Sequence, residues 1–373
     1  MNRLGIIFLT AMMLLTWGCS GNRNTSGDSA VEACDTLTTE ASLLCMTERP
    51  DGVIVAEIKD PWNPGRLLQR LVLVNDDNAG GALPEGTVIK CPVKRSLVSS
   101  VMFAHGIDEL GATEAIAAVT DGQYYKTPAV RKAIDEGRIV NVGSSMQPNA
   151  ELIAACRPDV ILSNPYQNAG HGVIETMGVP IVEMADYMEP TPLGRAEWIK
   201  LLGVLYGNPE KADNIYNSVK ENYVMWKNRT GEESPVVLTE MSQDGVWFVP
   251  GGESYMARII ADAGASYPWS GNGEGGSLQL DFPTVYNAAH DADYWFIKTD
   301  NPRFSYKDLK EAYPLNEKFR PFQQKKVYFL DTAGSMFFEE MSFHPDLLLR
   351  DFVIILHPDS AGGEEPRYYH PAL

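Results

Sequence analysis

The chain has 373 residues, of which 44% are hydrophobic and 21% are charged, and its formal net charge at pH 7 is −18. These values are typical of a globular protein with room for two domains, and they exclude wholesale disorder. The excess of acidic residues argues against nucleic acid as a partner, because nucleic-acid binding needs clustered Lys and Arg.

Residues 1–18 have the pattern of a signal peptide. Arg3 supplies a positive charge, and the apolar run 4–15 is too short for a stable bilayer span. A small residue, Gly18, stands directly before Cys19, which is typical of a lipoprotein signal. The alternative is an ordinary signal peptide that contains a cysteine. Cleavage before Cys19 removes Arg3 and no acid, so the charge of −18 becomes −19.

A polar segment rich in Ser, Gly, Asn and Thr follows at 20–29 and favours the lipoprotein interpretation, because a tethered domain needs such a linker. We expect Cys19 to become the acylated N-terminus, with residues 19–50 as tether. Acyl chains then anchor the protein in a bacterial envelope membrane, and we expect it to face the periplasm.

The remaining cysteines do not form a disulfide framework, because they are few for so long a chain. They are Cys34, Cys45, Cys91 and Cys156. A bridge between Cys34 and Cys45 is open, and Cys156 lies in an apolar helical pattern that predicts a small core residue. No Cys-x-x-Cys pair is present, which argues against a structural zinc site.

The folded part is expected to begin with a β-rich extension over 51–92, with apolar runs at 52–56 and 71–74. An α/β rhythm then starts in a first lobe over 93–195. Its predicted strands are 96–99, 115–120, 160–162 and 180–183. Strands that alternate with helices predict a mainly parallel sheet that is covered on both faces.

Residues 196–231 are predicted to link this lobe to another. The segment 208–229 begins with Asn208, Pro209 and Glu210, a capping residue, a first-turn proline and an early acid. Apolar residues then recur at helical spacing, which predicts one helix of about 30 Å. The alternative is a surface helix of a single domain.

The α/β rhythm restarts in a second lobe and tail over 232–373, with predicted strands at 236–240, 294–297 and 327–330. The same arrangement of short helix, acidic turn and apolar strand occurs at 149–164 and at 282–297, once on each side of the long helix. We therefore predict an α/β fold with two Rossmann-like lobes, mainly parallel sheets and a single connecting helix. Two such lobes can hold a small molecule between them.

From residue 92 onward the chain resembles the periplasmic substrate-binding proteins of ABC importers for iron chelates and cobalamin, and most closely their Bacteroidetes-type lipoprotein members. The segments that carry the resemblance are 151–164, 187–198, 208–229, 247–257, 345–351 and 355–358. The resemblance implies a monomer that is not an enzyme. It also implies capture of a small-molecule metal chelate, such as a ferric siderophore or cobalamin, and delivery to a permease and ATPase complex.

In that family a surface glutamate on each lobe contacts arginines of the permease. Glu151 matches the first position, although it is also an ordinary acid in the first turn of a helix. The second position falls near Pro283, where the chain departs from the pattern. Asp281 or Glu274 are the candidates to replace it, and Asp281 is preferred.

Ligands of open α/β sheets bind beyond the carboxyl ends of the strands. Aromatic faces and arginines near these ends suit a large, partly apolar and anionic chelate. The predicted cleft residues are Ser99, Ser100, Tyr124, Tyr125, Tyr166, Arg195, Trp247, Trp269 and Arg303. A packing role is the alternative for each of them.

The same residues leave two other functions open. Tyr124, Tyr125 and His105 raise haem as an alternative ligand, because Tyr and His are axial ligands of haem iron. A lone helical His is more often structural. An envelope sensor or scavenger on the same fold is also open, since Pro283 replaces the second docking acid. The loop 271–276 matches Gly-x-Gly-x-x-Gly, but no strand precedes it, so it is not a nucleotide-binding motif. The sequence also lacks Gly-x-Ser-x-Gly, His-Glu-x-x-His and a Walker loop, which argues against an enzyme.

Overall fold

The computed structural model describes residues 35–75 and 80–373. The predicted signal peptide, Cys19 and Cys34 lie outside the described residues, and so does a Cys34–Cys45 bridge. No helix in the described part of the chain combines the length and the apolar character that a bilayer crossing requires.

A sheet at the N-terminus orders its strands β1-β2-β3-β4-β5, with β5 parallel to β4 and the other pairs antiparallel. The strands are β1 (Asp35–Thr36), β2 (Leu44–Glu48), β3 (Ile54–Lys59), β4 (Leu67–Val74) and β5 (Thr87–Lys90). The tether predicted through residue 50 is therefore wrong from residue 35 onward. Leu44 and Met46 point to one face of β2 and are buried with Phe103 in a shared core, so this segment is part of the fold.

The first α/β lobe has a parallel sheet in the order β12-β11-β6-β7-β8. The strands are β6 (Ser96–Val98), β7 (Ile116–Val119), β8 (Val140–Asn141), β11 (Val160–Ser163) and β12 (Ile181–Glu183), beside a small hairpin of β9 (Gly143–Ser144) and β10 (Gln147–Pro148). Its helices are α1 (Val101–Glu109), α2 (Pro128–Asp135), α3 (Ala150–Cys156), α4 (Pro192–Ala196) and α5 (Ile199–Leu205). The strands β6, β7 and β11 are buried at every position, as expected for a sheet covered on both faces. Cys156 is buried in this core, as predicted.

The helix α6 (Pro209–Lys227) connects the hydrophobic cores of the two lobes. Its apolar stripe divides along its length, because Tyr216 and Val219 pack in the core of the first lobe whereas Tyr223 and Trp226 pack in the core of the second. The long helix predicted from the capping residues and the stripe is thus present, and it is embedded at both ends.

The second lobe has a sheet in the order β13-β17-β18-β19, in which only the last pair is antiparallel, and a smaller antiparallel sheet in the order β14-β15-β16. The strands are β13 (Val237–Thr239), β14 (Ser242–Gln243), β15 (Val246–Pro250), β16 (Ser277–Leu280), β17 (Tyr294–Thr299), β18 (Val327–Asp331) and β19 (Tyr369–Pro371). The helices are α7 (Tyr255–Asp262), α8 (Phe282–Ala289), α9 (Tyr306–Ala312), α10 (Arg320–Gln323), α11 (Phe337–Glu340) and α12 (Pro345–Leu356). The repeated segments of the sequence are α3 with β11 and α8 with β17, so the predicted α/β fold is confirmed.

Candidate functional site

A cavity of about 1030 Å³ lies where loops at the strand ends of both lobes meet the N-terminal sheet. The N-terminal sheet contributes Ser42, Leu43, Pro61 and Trp62; the first lobe contributes Gln167, Tyr187, Met188, Glu189, Pro190 and Arg195. The second lobe contributes Glu240, Met241, Gln243, Phe248, Pro250, Glu253, Ser254, Tyr255, Met256, Glu274, Gly275, Gly276, Ser277, Lys298 and Met341. We call this the first cavity.

Four aromatic side chains line the first cavity: Trp62, Tyr187, Phe248 and Tyr255. The hydroxyl of Tyr187 donates to the carbonyl of Pro165 at 2.6 Å, and the hydroxyl of Tyr255 donates to the carbonyl of Met341 at 2.8 Å. These hydrogen bonds fix the two rings in place. Phe248 is 42% exposed, which leaves an apolar face available to a ligand.

Arg195 is a buried cation that lines the first cavity. It is buried in α4, and its Nε donates to Ser342 Oγ at 3.1 Å and to Asp186 Oδ2 at 3.4 Å. Its guanidinium lies over the ring of Tyr255, 5.1 Å from the ring centre. Burial raises the pKa of Asp186 in spite of the nearby guanidinium. Since Ser342 belongs to the second lobe, this network holds Arg195 where the two lobes meet.

The other charged residues that line the first cavity are Glu189, Glu240, Glu253, Glu274 and Lys298. Lys298 is bonded to Glu240, whose backbone adopts a positive φ of 61°. Glu189 accepts from the N–H groups of Ser42 and Leu43 and from the indole of Trp198. Arg195 and Lys298 are the two cations of this cavity, and each is paired with a carboxylate.

A second cavity, of about 690 Å³, lies at the carboxyl ends of β6, β7, β17 and β18. Lys126 crosses from the first lobe to the second beside it, because its Nζ donates to the carbonyls of Thr332 and Ser335 at 2.6 and 2.9 Å. The backbone N–H of Lys126 also donates to Glu339, which is buried. Burial raises the pKa of this carboxyl.

The structure brings together part of the predicted site. Arg195 lines the first cavity, and the second is lined by Ser99, Ser100, Tyr124 and Tyr125. Tyr125 is almost fully buried, with its hydroxyl donating to the carbonyl of Val98, whereas Tyr124 is 64% exposed.

Other predicted residues line neither cavity. Tyr166 and Arg303 are exposed, and Trp269 packs edge-on against Tyr267. The prediction for Trp247 is wrong, because it is fully buried, stacks on Trp295 and donates to the carbonyl of Thr239. Successive side chains of a strand point to opposite faces, so the next residue, Phe248, is the one that lines the cavity.

His105 also lies outside both cavities. Its Nδ1 is 3.1 Å from the hydroxyl of Thr127, and its side chain is 12% exposed. The predicted docking acids are both exposed at helix starts: Glu151 is in the first turn of α3, and Asp281 caps α8 by accepting from the N–H of Thr284. Glu274, the other candidate, lies at the first cavity instead.

Sequence reasoning missed Trp62, Tyr255 and Phe248. The alternation along 246–250 could have identified Phe248 if the buried face of β15 had been known. No local pattern marks Trp62, since it lies in a loop of the N-terminal sheet, far in sequence from the lobes.

A cavity between two α/β lobes that a single helix connects defines a two-lobed ligand-binding protein. The chain belongs to the periplasmic binding protein family, whose model matches residues 104–333. It is 26% identical over 294 residues to the uncharacterized lipoprotein MJ0878 of Methanocaldococcus jannaschii, covering 76% of this chain and 69% of that one.

Solved structures agree with the fold. The haem-binding protein HutB of Vibrio cholerae superposes with a TM-score of 0.59 at 15% identity, covering 71% of this chain and 100% of its own. The vitamin B12-binding protein BtuF of Vibrio cholerae superposes with a TM-score of 0.55 at 13% identity, covering 73% and 99%. At such identity the likeness concerns the fold alone.

Proposed function

We propose that this protein is the substrate-binding lipoprotein of an ABC importer, and that it captures a metal chelate in the first cavity and delivers it to the permease. A ferric siderophore or cobalamin is the chelate class that we favour. In this proposal the N-terminal lobe spans residues 93–195, the linker helix region spans 196–231, and the C-terminal lobe and tail span 232–373. The observation that carries the proposal is the large cavity with Arg195 fixed at the contact of the lobes.

The size and chemistry of the first cavity support this class of ligand. Its volume of about 1030 Å³ is at the upper end of typical ligand pockets, which span roughly 300 to 1,000 Å³. The rings of Trp62 and Phe248 offer flat apolar faces, and Arg195 offers a rigid cation for carboxylate, phosphate or catecholate oxygens. Structural neighbours with haem and vitamin B12 as their named ligands are consistent with it.

A thermal-shift panel tests the ligand class. The purified protein is heated with ferric siderophores, with cobalamin, with haem, and with a sugar and an amino acid as controls. A ligand that binds the folded state stabilises it by mass action and so raises the melting temperature. At a ligand concentration of 100 times Kd, the free energy of unfolding rises by about 2.7 kcal/mol. The proposal fails if the chelates leave the melting temperature unchanged, or if only a sugar or an amino acid raises it.

Haem is the second candidate, and exposed Tyr124 is the observation that favours it. Haem iron needs an axial ligand such as Tyr, and the hydroxyls of Tyr187 and Tyr255 in the first cavity already donate to carbonyls. A Soret band that Tyr124→Phe abolishes and Tyr125→Phe retains would favour haem at the second cavity. Tyr125 is the matched control because its hydroxyl is bonded to Val98.

The anchor and the partner complete the proposal. Acylated Cys19 holds the protein on the membrane, facing the periplasm, and the protein acts as a monomer with Glu151 and Asp281 contacting the permease. Incorporation of labelled palmitate that Cys19→Ser abolishes supports the anchor. An envelope sensor or scavenger is the alternative, and failure of the chelate-loaded protein to bind its permease would favour it.

A further inference from the structure

Three side chains of metal-ligating type meet at the contact between the lobes, and none of them lines either cavity. His105 and Glu109 are one helical turn apart on α1 of the first lobe, and His344 directly precedes α12 of the second. Their ligand atoms lie within 4.8 Å of one another. The side chains are 12%, 25% and 17% exposed, so the group is sheltered but reachable by a small ion.

The nitrogen and oxygen atoms that could bind a metal are already close to one another. Nε2 of His344 is 2.8 Å from Oε1 of Glu109, and Nε2 of His105 is 3.8 Å from the same oxygen. Nδ1 of His105 is bonded to the hydroxyl of Thr127 at 3.1 Å. A histidine that donates from one ring nitrogen to such a partner presents the lone pair of the other, which is the usual arrangement around a bound metal.

The spacing suits a small divalent cation. Zinc–nitrogen bonds of about 2.0–2.1 Å in a tetrahedron place neighbouring ligand atoms about 3.4 Å apart. The observed separations of 2.8 and 3.8 Å lie on either side of that value, so small side-chain rotations would complete the geometry. Two imidazoles and one carboxylate are ligands for zinc-class metals, whereas magnesium and calcium require oxygen.

We propose that His105, Glu109 and His344 form a binding site for a zinc-class divalent cation, which joins the two lobes. Three protein ligands leave the fourth position to water. The bound cation takes the place of the proton between Nε2 of His344 and Oε1 of Glu109, and that proton is released to solvent. The site is separate from the cargo, because none of its residues lines either cavity. A plain ion pair between Glu109 and His344 is the competing explanation.

His105 distinguishes the two explanations, because removing it leaves the Glu109–His344 pair intact. The full-length protein, purified in detergent and stripped with a chelator, is titrated with zinc chloride by calorimetry. We expect one zinc ion per chain and more than about tenfold weaker binding in His105→Gln, since even partners of metal ligands contribute that much. Glu109→Gln and His344→Gln should weaken binding at least as much. His290→Gln, at an exposed position directly after α8, should leave binding unchanged.

Two further measurements keep the test decisive. Cobalt(II) should give the intense visible bands of a four-coordinate site in the wild type and lose them in His105→Gln. Thr127→Val should weaken zinc binding without removing a ligand, by about tenfold or more. Absence of zinc binding in the wild type, or equal affinity in wild type and His105→Gln, would overturn the proposal. Neither result bears on chelate binding in the first cavity.

Discussion

Glu189 accepts hydrogen bonds from both the backbone N–H and the hydroxyl of Ser42, at 2.9 and 2.7 Å, although 147 residues separate the two in the chain. Both residues line the first cavity. The bond therefore fixes the N-terminal sheet to the first lobe at the rim of the proposed site. The family model begins at residue 104, so this wall of the cavity lies outside the matched region.

Substitution of Trp62 tests whether the N-terminal sheet takes part in ligand binding, because Trp62 is the large aromatic side chain that this sheet contributes to the first cavity. Trp62→Ala removes a ring that can stack on a chelate, and we expect the affinity for the cognate chelate to fall by about tenfold, which equals about 1.4 kcal/mol. A fluorescence or calorimetric titration with the chelate that gives the largest thermal shift measures the change.

Tyr166→Ala is the matched control for Trp62→Ala. Tyr166 is 55% exposed and lines neither cavity, so its loss should leave the affinity unchanged. Equal losses in the two variants, or no loss in Trp62→Ala, would show that the N-terminal sheet is not part of the binding site.

Glu197 should stabilise the fold by holding the segment that leads into β2. It is fully buried, and its carboxylate accepts the backbone N–H groups of Thr39, Glu40 and Ala41. Glu197→Ala leaves these donors without their partner, and we expect the free energy of unfolding to fall by about 3 kcal/mol. Urea denaturation of the wild type and of Glu197→Ala measures this difference in the free energy of unfolding. A loss as small as that of Glu151→Ala, at an exposed position, would contradict this role.

The sequence was sufficient to predict the two α/β lobes and the helix between them, because the signals for these elements are local. The capping residues and apolar stripe of α6 fall within one helix, and Tyr216 and Tyr223 do divide between the two cores. The site was less predictable because its contacts are long-range. Trp247 and Phe248 are neighbours of similar type, and only the packing of β15 decides which one is buried.

The pair of His171 and Glu183 should make stability depend on pH. Nε2 of His171 is 2.9 Å from both carboxylate oxygens, and this hydrogen bond raises the pKa of His171 above its ordinary 6.5, against the opposing effect of burial. A raised pKa means that the stabilisation is fully present below pH 6.5 and is lost as the pH rises through the higher, folded-state pKa.

His171→Gln measures this contribution. The difference in unfolding free energy between wild type and variant should be largest below pH 6.5 and should shrink as the pH rises. A folded-state pKa that is higher by one than the unfolded-state pKa corresponds to roughly 1.4 kcal/mol. Glu183→Gln should flatten the pH profile in the same way. A difference that does not change with pH would contradict the assignment.

The proposed docking role of Glu151 and Asp281 predicts that transport can be lost while chelate binding is retained. Glu151→Gln and Asp281→Asn neutralise the two exposed carboxylates, and Asn retains the capping ability of Asp281 on α8. We expect the double variant to bind the chelate normally and to reduce uptake by about tenfold or more, because charge pairs at interfaces govern complex formation. Glu311→Gln, an exposed acid on α9, is the control that should leave uptake unchanged.

Native mass spectrometry of the protein purified from its own envelope tests the central claim most directly, because it measures the mass of any molecule that the protein retains. We expect a complex of one chain with one metal chelate, and a lower share of the loaded form in Trp62→Ala. A bound sugar, amino acid or peptide in place of a chelate would contradict it.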